Sequence, residues 1–335
     1  MRVRVLELGS NSFQLRGFSI SEGGAVVEAW GAKDFVRLSS SLDLGGRLSK
    51  DGHQRAVEAV ARLLFASRDA APLLAVATSA VRTAVNRADL LEALRRRFGL
   101  EVRVLSGLEE ARLAYVGARA NQPLSPERIA VIDVGGGSTQ MAVGDARGLA
   151  FCTSAPLGTL GAIGLSSHAL GDRMEAVFGP PLSKVAQLDV NRVVFSCGVA
   201  RAAAKYLSAS GVSGASGSLD VASLGSLAST GSGGAREPFA AGAGARHPTL
   251  WAGATLLAWI AARLGFLRCD VASQGLREGV ALWSWASCGW SHPSSAVMRS
   301  LAPVTSASRT EETSGVRQAP TLSGSDARPF RVAQS

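Results

Sequence analysis

Residues 129–143 combine an acid, a run of glycines and hydroxyl side chains in a spacing suited to binding phosphate and a metal ion. The segment reads IAVIDVGGGSTQMAV, so Asp133 ends one apolar run, and glycines 135–137 and Ser138 precede another. Glycines lack a Cβ, so the backbone N–H groups of a tight turn can close on a ligand. A carboxylate at the mouth of that turn can hold Mg²⁺ directly or through water. The pattern predicts a strand–turn–strand unit, although an ordinary glycine-rich hairpin would show the same residues.

The same layout occurs a second time near the N-terminus. Residues 7–14 read ELGSNSFQ and residues 133–140 read DVGGGSTQ, so acid, glycine, serine and glutamine fall at matching places. Two copies indicate a duplicated α/β domain with two phosphate-binding hairpins facing each other across an interdomain cleft. That is the two-domain architecture of actin, sugar kinases and Hsp70, a ribonuclease H-like fold. The predicted phosphate-binding residues are Gly9, Ser10, Asn11, Ser12, Gly135, Gly136, Gly137 and Ser138, and the predicted metal ligands are Glu7 and Asp133.

Three charged positions outside the hairpins are candidates for chemistry. Arg82 follows a predicted buried strand at 73–78, and ligands of α/β proteins bind where such strands end. A guanidinium fork is well shaped for phosphate, whereas a solvated arginine is the ordinary alternative. Glu109 and Glu110 lie in the first turn of a predicted helix at 108–120. Both acids could merely complement the helix dipole.

Five segments, in this order, resemble the exopolyphosphatase/guanosine pentaphosphate phosphohydrolase (Ppx/GppA) family. They are ELGSNSF (7–13), TSAVRTA (78–84), SGLEEARLAYVG (106–117), IDVGGGST (132–139) and GLREGV (275–280). The resemblance covers about residues 1–285 and is strongest in 1–165. We expect a short, two-domain member, without the helical HD-type domain of longer members.

The resemblance implies roles for individual residues. The family's catalytic glutamate is the second acid of Glu-Glu-Ala, which is Glu110 here, and Arg82 matches a family arginine expected to contact phosphate. Arg37 stands where a family arginine lies near the cleft. The family's first motif begins with aspartate, whereas this chain has Glu7. The carboxylate is retained but reaches one methylene further, which alters the expected Mg²⁺ geometry.

The composition indicates which classes of binding partner to expect. The 335-residue chain has a net charge of +9 and a pI of about 10.2, which suits a polyanionic partner. No zinc-finger or RNA-recognition signature accompanies the charge, so no specific nucleic acid is expected. Four scattered cysteines without a CxxC pair favour reduced thiols in a cytoplasmic setting. No signal peptide is expected at the N-terminus, and the apolar run 249–262 is too short to span a bilayer, so no membrane partner is expected. A homodimer is left open.

We expect an N-terminal subdomain at 1–124 and a C-terminal subdomain at 125–286. Within the second, residues 208–246 are a low-complexity segment, since 27 of these 39 residues are Gly, Ser or Ala and can bury little surface. Residues 287–335 are Ser-, Ala- and Arg-rich and are expected to form a disordered tail.

Taken together, the sequence predicts a Mg²⁺-dependent hydrolase that releases terminal phosphate from inorganic polyphosphate or guanosine pentaphosphate. The hairpins would bind phosphate, Glu7 and Asp133 would share the metal, and Glu110 would orient or deprotonate the attacking water. One alternative is an ATP-using kinase of the same architecture. A second is a non-catalytic protein that senses phosphorylated ligands.

Overall fold

The computed structural model describes residues 1–67, 69–121, 126–211, 217–232 and 247–287. The strands are β1 (Arg2–Leu8), β2 (Phe13–Ile20), β3 (Val26–Asp34), β4 (Leu73–Ala77), β5 (Val102–Val104), β6 (Ile129–Val134), β7 (Thr139–Asp145), β8 (Gly148–Ala155), β9 (Arg192–Phe195), β10 (Ser218–Asp220) and β11 (Arg268–Val271). The helices are α1 (Lys50–Phe65), α2 (Ser79–Thr83), α3 (Arg87–Phe98), α4 (Gly107–Ala118), α5 (Thr159–Ala162), α6 (Ser167–Ala186), α7 (Gly198–Ala209), α8 (Val221–Ser232), α9 (His247–Arg263) and α10 (Leu276–Ser287), with a 3₁₀ turn at Leu38–Ser41.

The two sheets repeat one topology. The first has the order β3-β2-β1-β4-β5, with an antiparallel meander β1–β3 and parallel strands β4 and β5. In the second, β8-β7-β6-β9-β11 follows the same order and directions, and β10 is added antiparallel to β11. The duplication that the two sequence motifs predicted is therefore confirmed, and so is the two-domain α/β architecture.

The register of the hairpins repeats as well. Glu7 on β1 is the cross-strand partner of Gln14 on β2, and Asp133 on β6 is the partner of Gln140 on β7. Because both motifs share this register, each places its acid at the next-to-last position of the first strand, one residue before the turn. The apolar residues of β1 and β6 are buried on both faces, as expected for central strands covered by helices.

Two helices are exchanged between the halves of the chain. Helix α4 follows the first sheet in sequence, yet its Tyr115 is buried with Ile129 and Val131 of the second sheet. Helix α10 follows the second sheet, yet its Trp285 is buried with Val5 of the first. The helices α4 and α10 also pack against each other closely. The predicted boundary at 124/125 falls at the gap between described residues 121 and 126, and this exchange gives the first lobe a helix from the C-terminal half.

The low-complexity composition of residues 208–246 predicted little buried surface, and part of that prediction is wrong. Strand β10 and helix α8 form within it, and Leu219, Leu224 and Leu227 are buried in the core of the second lobe. These three leucines, spaced by five and three residues, pack this part of the segment against the core. Its small residues lie between them. Residues 212–216 and 233–246 of the segment, and the tail at 288–335, lie outside the described residues.

Among the described residues, none of the helices has the length and apolar character needed to cross a bilayer. The predicted buried helix around 248–264 is α9, whose Leu256, Leu257 and Ile260 are fully buried. Cys152, Cys197 and Cys269 are free thiols.

Candidate active site

A polar cavity of about 490 Å³ lies where the two repeated hairpins meet. Both turns line it, and the lining contains all eight residues that the sequence predicted to bind phosphate. The carboxylates Glu7, Asp133 and Glu110 line the same cavity. The lining thus unites residues from both lobes that are more than a hundred positions apart in sequence.

The two hairpins touch directly. A Cβ added at Gly136 would lie 3.0 Å from Cβ of Ser10 and 3.2 Å from the backbone N of Asn11. A Cβ added at Gly137 would lie 2.9 Å from Oγ of Ser10. A side chain at either position would crowd the first hairpin. The motif glycines therefore let two backbones approach each other, as well as a ligand.

Neighbouring elements hold each turn in place. In the second hairpin, the N–H of Thr159 donates to the carbonyl of Gly135 at 3.0 Å, and that of Leu160 donates to the carbonyl of Gly136 at 2.9 Å. In the first, Oγ of Ser10 accepts from the N–H of Ala80 at 3.2 Å. Because these carbonyls and this hydroxyl are already bonded, the conformation of both turns is fixed before any ligand arrives.

Glu110 is a buried carboxylate at the wall of the cavity. Its exposed fraction is 7%, and its Oε2 accepts from Nη1 of Arg82 at 2.8 Å. Burial raises the pKa of Glu110 to about 7; Arg82 opposes the rise, and the nearby Asp133 and Glu7 add to it. A carboxylate with a pKa near neutrality is suited to accept a proton from water.

The adjacent acid, Glu109, has a structural task. Its side chain accepts from the N–H of Ser106, whose hydroxyl in turn accepts from the N–H of Glu109, which completes a capping box at the start of α4. It also pairs with Arg103 at 2.5 Å. Of the two acids of Glu-Glu-Ala, Glu110 lines the cavity and Glu109 does not.

Neither of the two arginines predicted to approach substrate lines the cavity. Arg82 is outside the cavity lining, and its Nη1 is shared between Glu110 and the carbonyl of Leu105 at 2.9 Å. Arg37 is also outside the lining; its backbone is left-handed, with φ 50°, and its N–H donates to the carbonyl of Asn11. Arg82 therefore acts on Glu110, and the backbone of Arg37 supports the first hairpin.

Asp133 and Glu7 approach the cavity from opposite hairpins. Oδ2 of Asp133 accepts from Oγ of Ser196 at 3.2 Å, and burial raises the pKa of Asp133, with Arg201 opposing and Glu7 reinforcing the rise. Oε2 of Glu7 pairs with Nη1 of Arg277 at 2.5 Å. The influence of Glu7 on Asp133 indicates that the two carboxylates are close enough to repel each other.

These residues fit a Mg²⁺ ion that arrives with phosphate. Mg²⁺ in phosphoryl-transfer sites is held by one or two carboxylates, water and substrate phosphates, and it would relieve the repulsion between Glu7 and Asp133. Over the described ranges, no three His, Cys, Asp or Glu side chains converge as a metal cluster, so phosphate or water would supply the remaining ligands.

Five basic residues of the cavity were not predicted as site residues from the sequence. Arg16, Lys33, Arg201 and Lys205 add positive charge to the walls, and Arg277 faces Glu7. Arg201 is three residues after the Gly198 that opens α7, and Arg277 lies inside GLREGV, so both were adjacent to recognisable features. Arg16 and Lys33 lie on β2 and β3, where only the register shows that they share a face with Gln14.

A duplicated pair of sheets with facing glycine-rich hairpins places this chain among actin-like, sugar-kinase-type α/β proteins. Within that class, the model of the Ppx/GppA phosphatase family matches residues 26–171. The resemblance seen in the sequence is thereby confirmed.

Curated relatives match about half of the chain. Exopolyphosphatase 1 of Mycobacterium tuberculosis is 33% identical over 160 residues, which are 47% of this chain and 46% of the relative. An uncharacterized protein of Streptomyces coelicolor is 36% identical over 163 residues, 47% of each chain. The chain thus spans about half the length of the curated relatives it matches.

Solved structures match over most of the chain at low identity. An exopolyphosphatase from Cytophaga hutchinsonii superposes with a TM-score of 0.74 at 19% identity, covering 86% of this chain and 98% of that one. A Ppx/GppA family member from Aquifex aeolicus gives 0.66 at 22% identity, covering 87% and 99%. These superpositions establish the shared fold.

Proposed function

We propose that this chain is a phosphoanhydride hydrolase that releases terminal phosphate from inorganic polyphosphate or guanosine pentaphosphate by Mg²⁺-assisted attack of water. The observation that carries the proposal is Glu110, a buried carboxylate with a pKa of about 7 at the wall of a cavity between two turns of phosphate-binding type. The family match at 26–171 and the exopolyphosphatase relatives support the same reaction class.

In the proposed reaction, the two hairpins bind the terminal phosphoryl group. Backbone N–H groups of both turns and the hydroxyls of Ser12 and Ser138 donate to phosphate oxygens. Bound Mg²⁺, near Glu7 and Asp133, would neutralise charge on those oxygens.

Glu110 accepts a proton as water oxygen attacks the terminal phosphorus; the bond from phosphorus to the bridging oxygen breaks, and the shortened chain leaves. Arg82 holds the Glu110 carboxylate toward the cavity by anchoring its Oε2. No phosphorylated enzyme is needed in this scheme.

Polyphosphate is the substrate we favour. The described residues that line the cavity include no aromatic side chain on which a guanine base could stack, whereas Arg16, Lys33, Arg201 and Lys205 suit a linear polyanion. A cytoplasmic location and the form of any homodimer stay predictions.

The test is phosphate release measured in parallel with polyphosphate, guanosine pentaphosphate and ATP, each with and without Mg²⁺. Mg²⁺-dependent release from polyphosphate, with or without release from guanosine pentaphosphate, supports the proposal. Consumption of ATP only when a phosphoryl acceptor is added would instead indicate the kinase. Tight binding of polyphosphate without turnover would indicate a sensor.

A further inference from the structure

Arg277 belongs to a sequence motif but has no part in the proposed reaction. It is the third residue of GLREGV, near the start of α10, and it lies 270 positions from its partner Glu7. It reaches the first hairpin only because α10 crosses back to the first lobe, where Leu276, Val280 and Trp285 pack beneath the sheet. The fold thus delivers a cation to a carboxylate predicted to bind a metal.

The contact between the two side chains is close and largely removed from solvent. Nη1 of Arg277 lies 2.5 Å from Oε2 of Glu7, and the two side chains are only 13% and 14% exposed. Buried pairs of this kind hold each other firmly, since either charge alone would be costly in such surroundings. Glu7 therefore has a resident counter-ion in this structure.

The rest of the guanidinium is incompletely bonded. Nε of Arg277 is buried and has no hydrogen-bond partner within the described residues. The attraction of Glu7, with the nearby Glu278 and Asp133, is what favours its charge despite burial. The pose of Arg277 consequently depends on the carboxylate charge that a metal ion would also use.

We propose that Arg277 competes with the divalent cation for Glu7, so that this ion pair sets the metal affinity of the site. A guanidinium and Mg²⁺ both seek the carboxylate oxygens, and the metal can use Oε2 of Glu7 only when the guanidinium withdraws. The extra methylene of Glu7, compared with an aspartate, extends its carboxylate toward α10. The inference rests on the metal part of the proposed function.

The test measures metal binding without substrate, using Mn²⁺ as a paramagnetic stand-in for Mg²⁺ and the loss of free Mn²⁺ signal as the readout. Arg277→Gln should bind Mn²⁺ about tenfold more tightly or better, because the positive charge that pairs with Glu7 is removed. Arg277→Lys keeps the charge, and its affinity should stay within about threefold of the unaltered protein. Unchanged or weaker binding by Arg277→Gln would overturn the proposal, as would equal tightening by both variants.

Arg16→Gln is the matched control. Arg16 lines the same cavity but is paired with Glu28 at 2.6 Å, so its loss should leave Mn²⁺ affinity unchanged. Tightening by Arg16→Gln to the same extent would point to general charge and contradict the specific competition.

Thermal melting is a second measurement, for use if Arg277→Gln folds too poorly for the binding assay. The melting temperature of that variant should rise more with added Mg²⁺ than that of the unaltered protein, because a ligand that binds the folded state more tightly stabilises it more. Glu7→Asp, which shortens the reach to Arg277, should also tighten Mn²⁺ binding, and weaker binding would count against the proposal. None of these binding and melting measurements involves turnover. Their outcome is therefore separate from the outcome of the phosphate-release test.

Discussion

Arg82 donates one hydrogen bond from Nη1 to Oε2 of Glu110 at 2.8 Å and another to the carbonyl of Leu105 at 2.9 Å. One nitrogen thereby ties the candidate base to the backbone that leads into its own helix. Arg82 is outside the cavity lining, so in the proposed reaction its charge would act through Glu110. In that scheme Arg82 is a positioning residue and Glu110 accepts the proton.

Replacing Glu110 with Gln should abolish turnover while leaving ligand binding intact. A general base typically contributes ~10²–10⁴-fold to rate, and the amide keeps the shape of the carboxylate. Phosphate release and equilibrium binding of polyphosphate, measured on one preparation, separate the two effects. The control Glu109→Gln disturbs the capping box and the Arg103 pair, so it should lower stability and keep turnover. A greater loss of turnover in the control would move the base to Glu109.

The rate of phosphate release should rise with pH and level off above about 7, since Glu110 must be ionised to accept a proton and its pKa is about 7. Arg82→Gln should move the midpoint to higher pH, because the charge that lowers the pKa of Glu110 is gone. Initial rates from pH 5 to 9 measure both midpoints. If Arg82→Gln weakened substrate binding without moving the midpoint, Arg82 would be a phosphate ligand after all.

The pH dependence of the unfolding free energy should also reflect the raised pKa of Glu110. Its pKa is about 7 when folded and 4.5 ordinarily, so the folded state holds more protons between these values and loses stability as pH rises through them. Glu110→Gln removes this loss. The difference in unfolding free energy between variant and parent should therefore shift in favour of the variant by up to roughly 3 kcal/mol between pH 4.5 and pH 8. Denaturant titrations showing a constant difference would refute the raised pKa.

Gly158 should tolerate no side chain. Its Cβ would lie 2.6 Å from backbone atoms of Gly135 and Gly136, so Gly158→Ala must displace the second hairpin. We expect a loss of about 1–3 kcal/mol in stability, together with weaker phosphate binding. Gly171→Ala is the control, since a Cβ there meets nothing within 4 Å and alanine favours a helix. Equal phosphate affinity in Gly158→Ala and the parent would show that the turn need not be held in this position.

The sequence predicted the repeated hairpin motifs and other features that depend on local residues. The matching positions of Glu7 and Asp133 predicted two hairpins of the same layout. The motif glycines were predicted to admit a ligand, whereas the close contact between the two turns was not predicted. The buried leucines of residues 219–227 were missed because composition, rather than their spacing, was the basis of that prediction.

Long-range pairings could not be predicted in the same way. Arg277 meets Glu7 only after α10 crosses to the other lobe, and no local pattern encodes that crossing. Which of Glu109 and Glu110 faces the cavity likewise depends on how helix α4 is oriented in the packed protein. Burial then raises the pKa of Glu110, and burial is a property of the assembled lobes.

The most direct test of the account is hydrolysis of polyphosphate in water enriched in ¹⁸O, followed by mass spectrometry of the released phosphate. Attack of water on the terminal phosphorus predicts one ¹⁸O atom in each phosphate released by the unaltered protein. Little release is expected from Glu110→Gln. Release of unlabelled phosphate, with ¹⁸O retained in the shortened chain, would contradict attack at the terminal group.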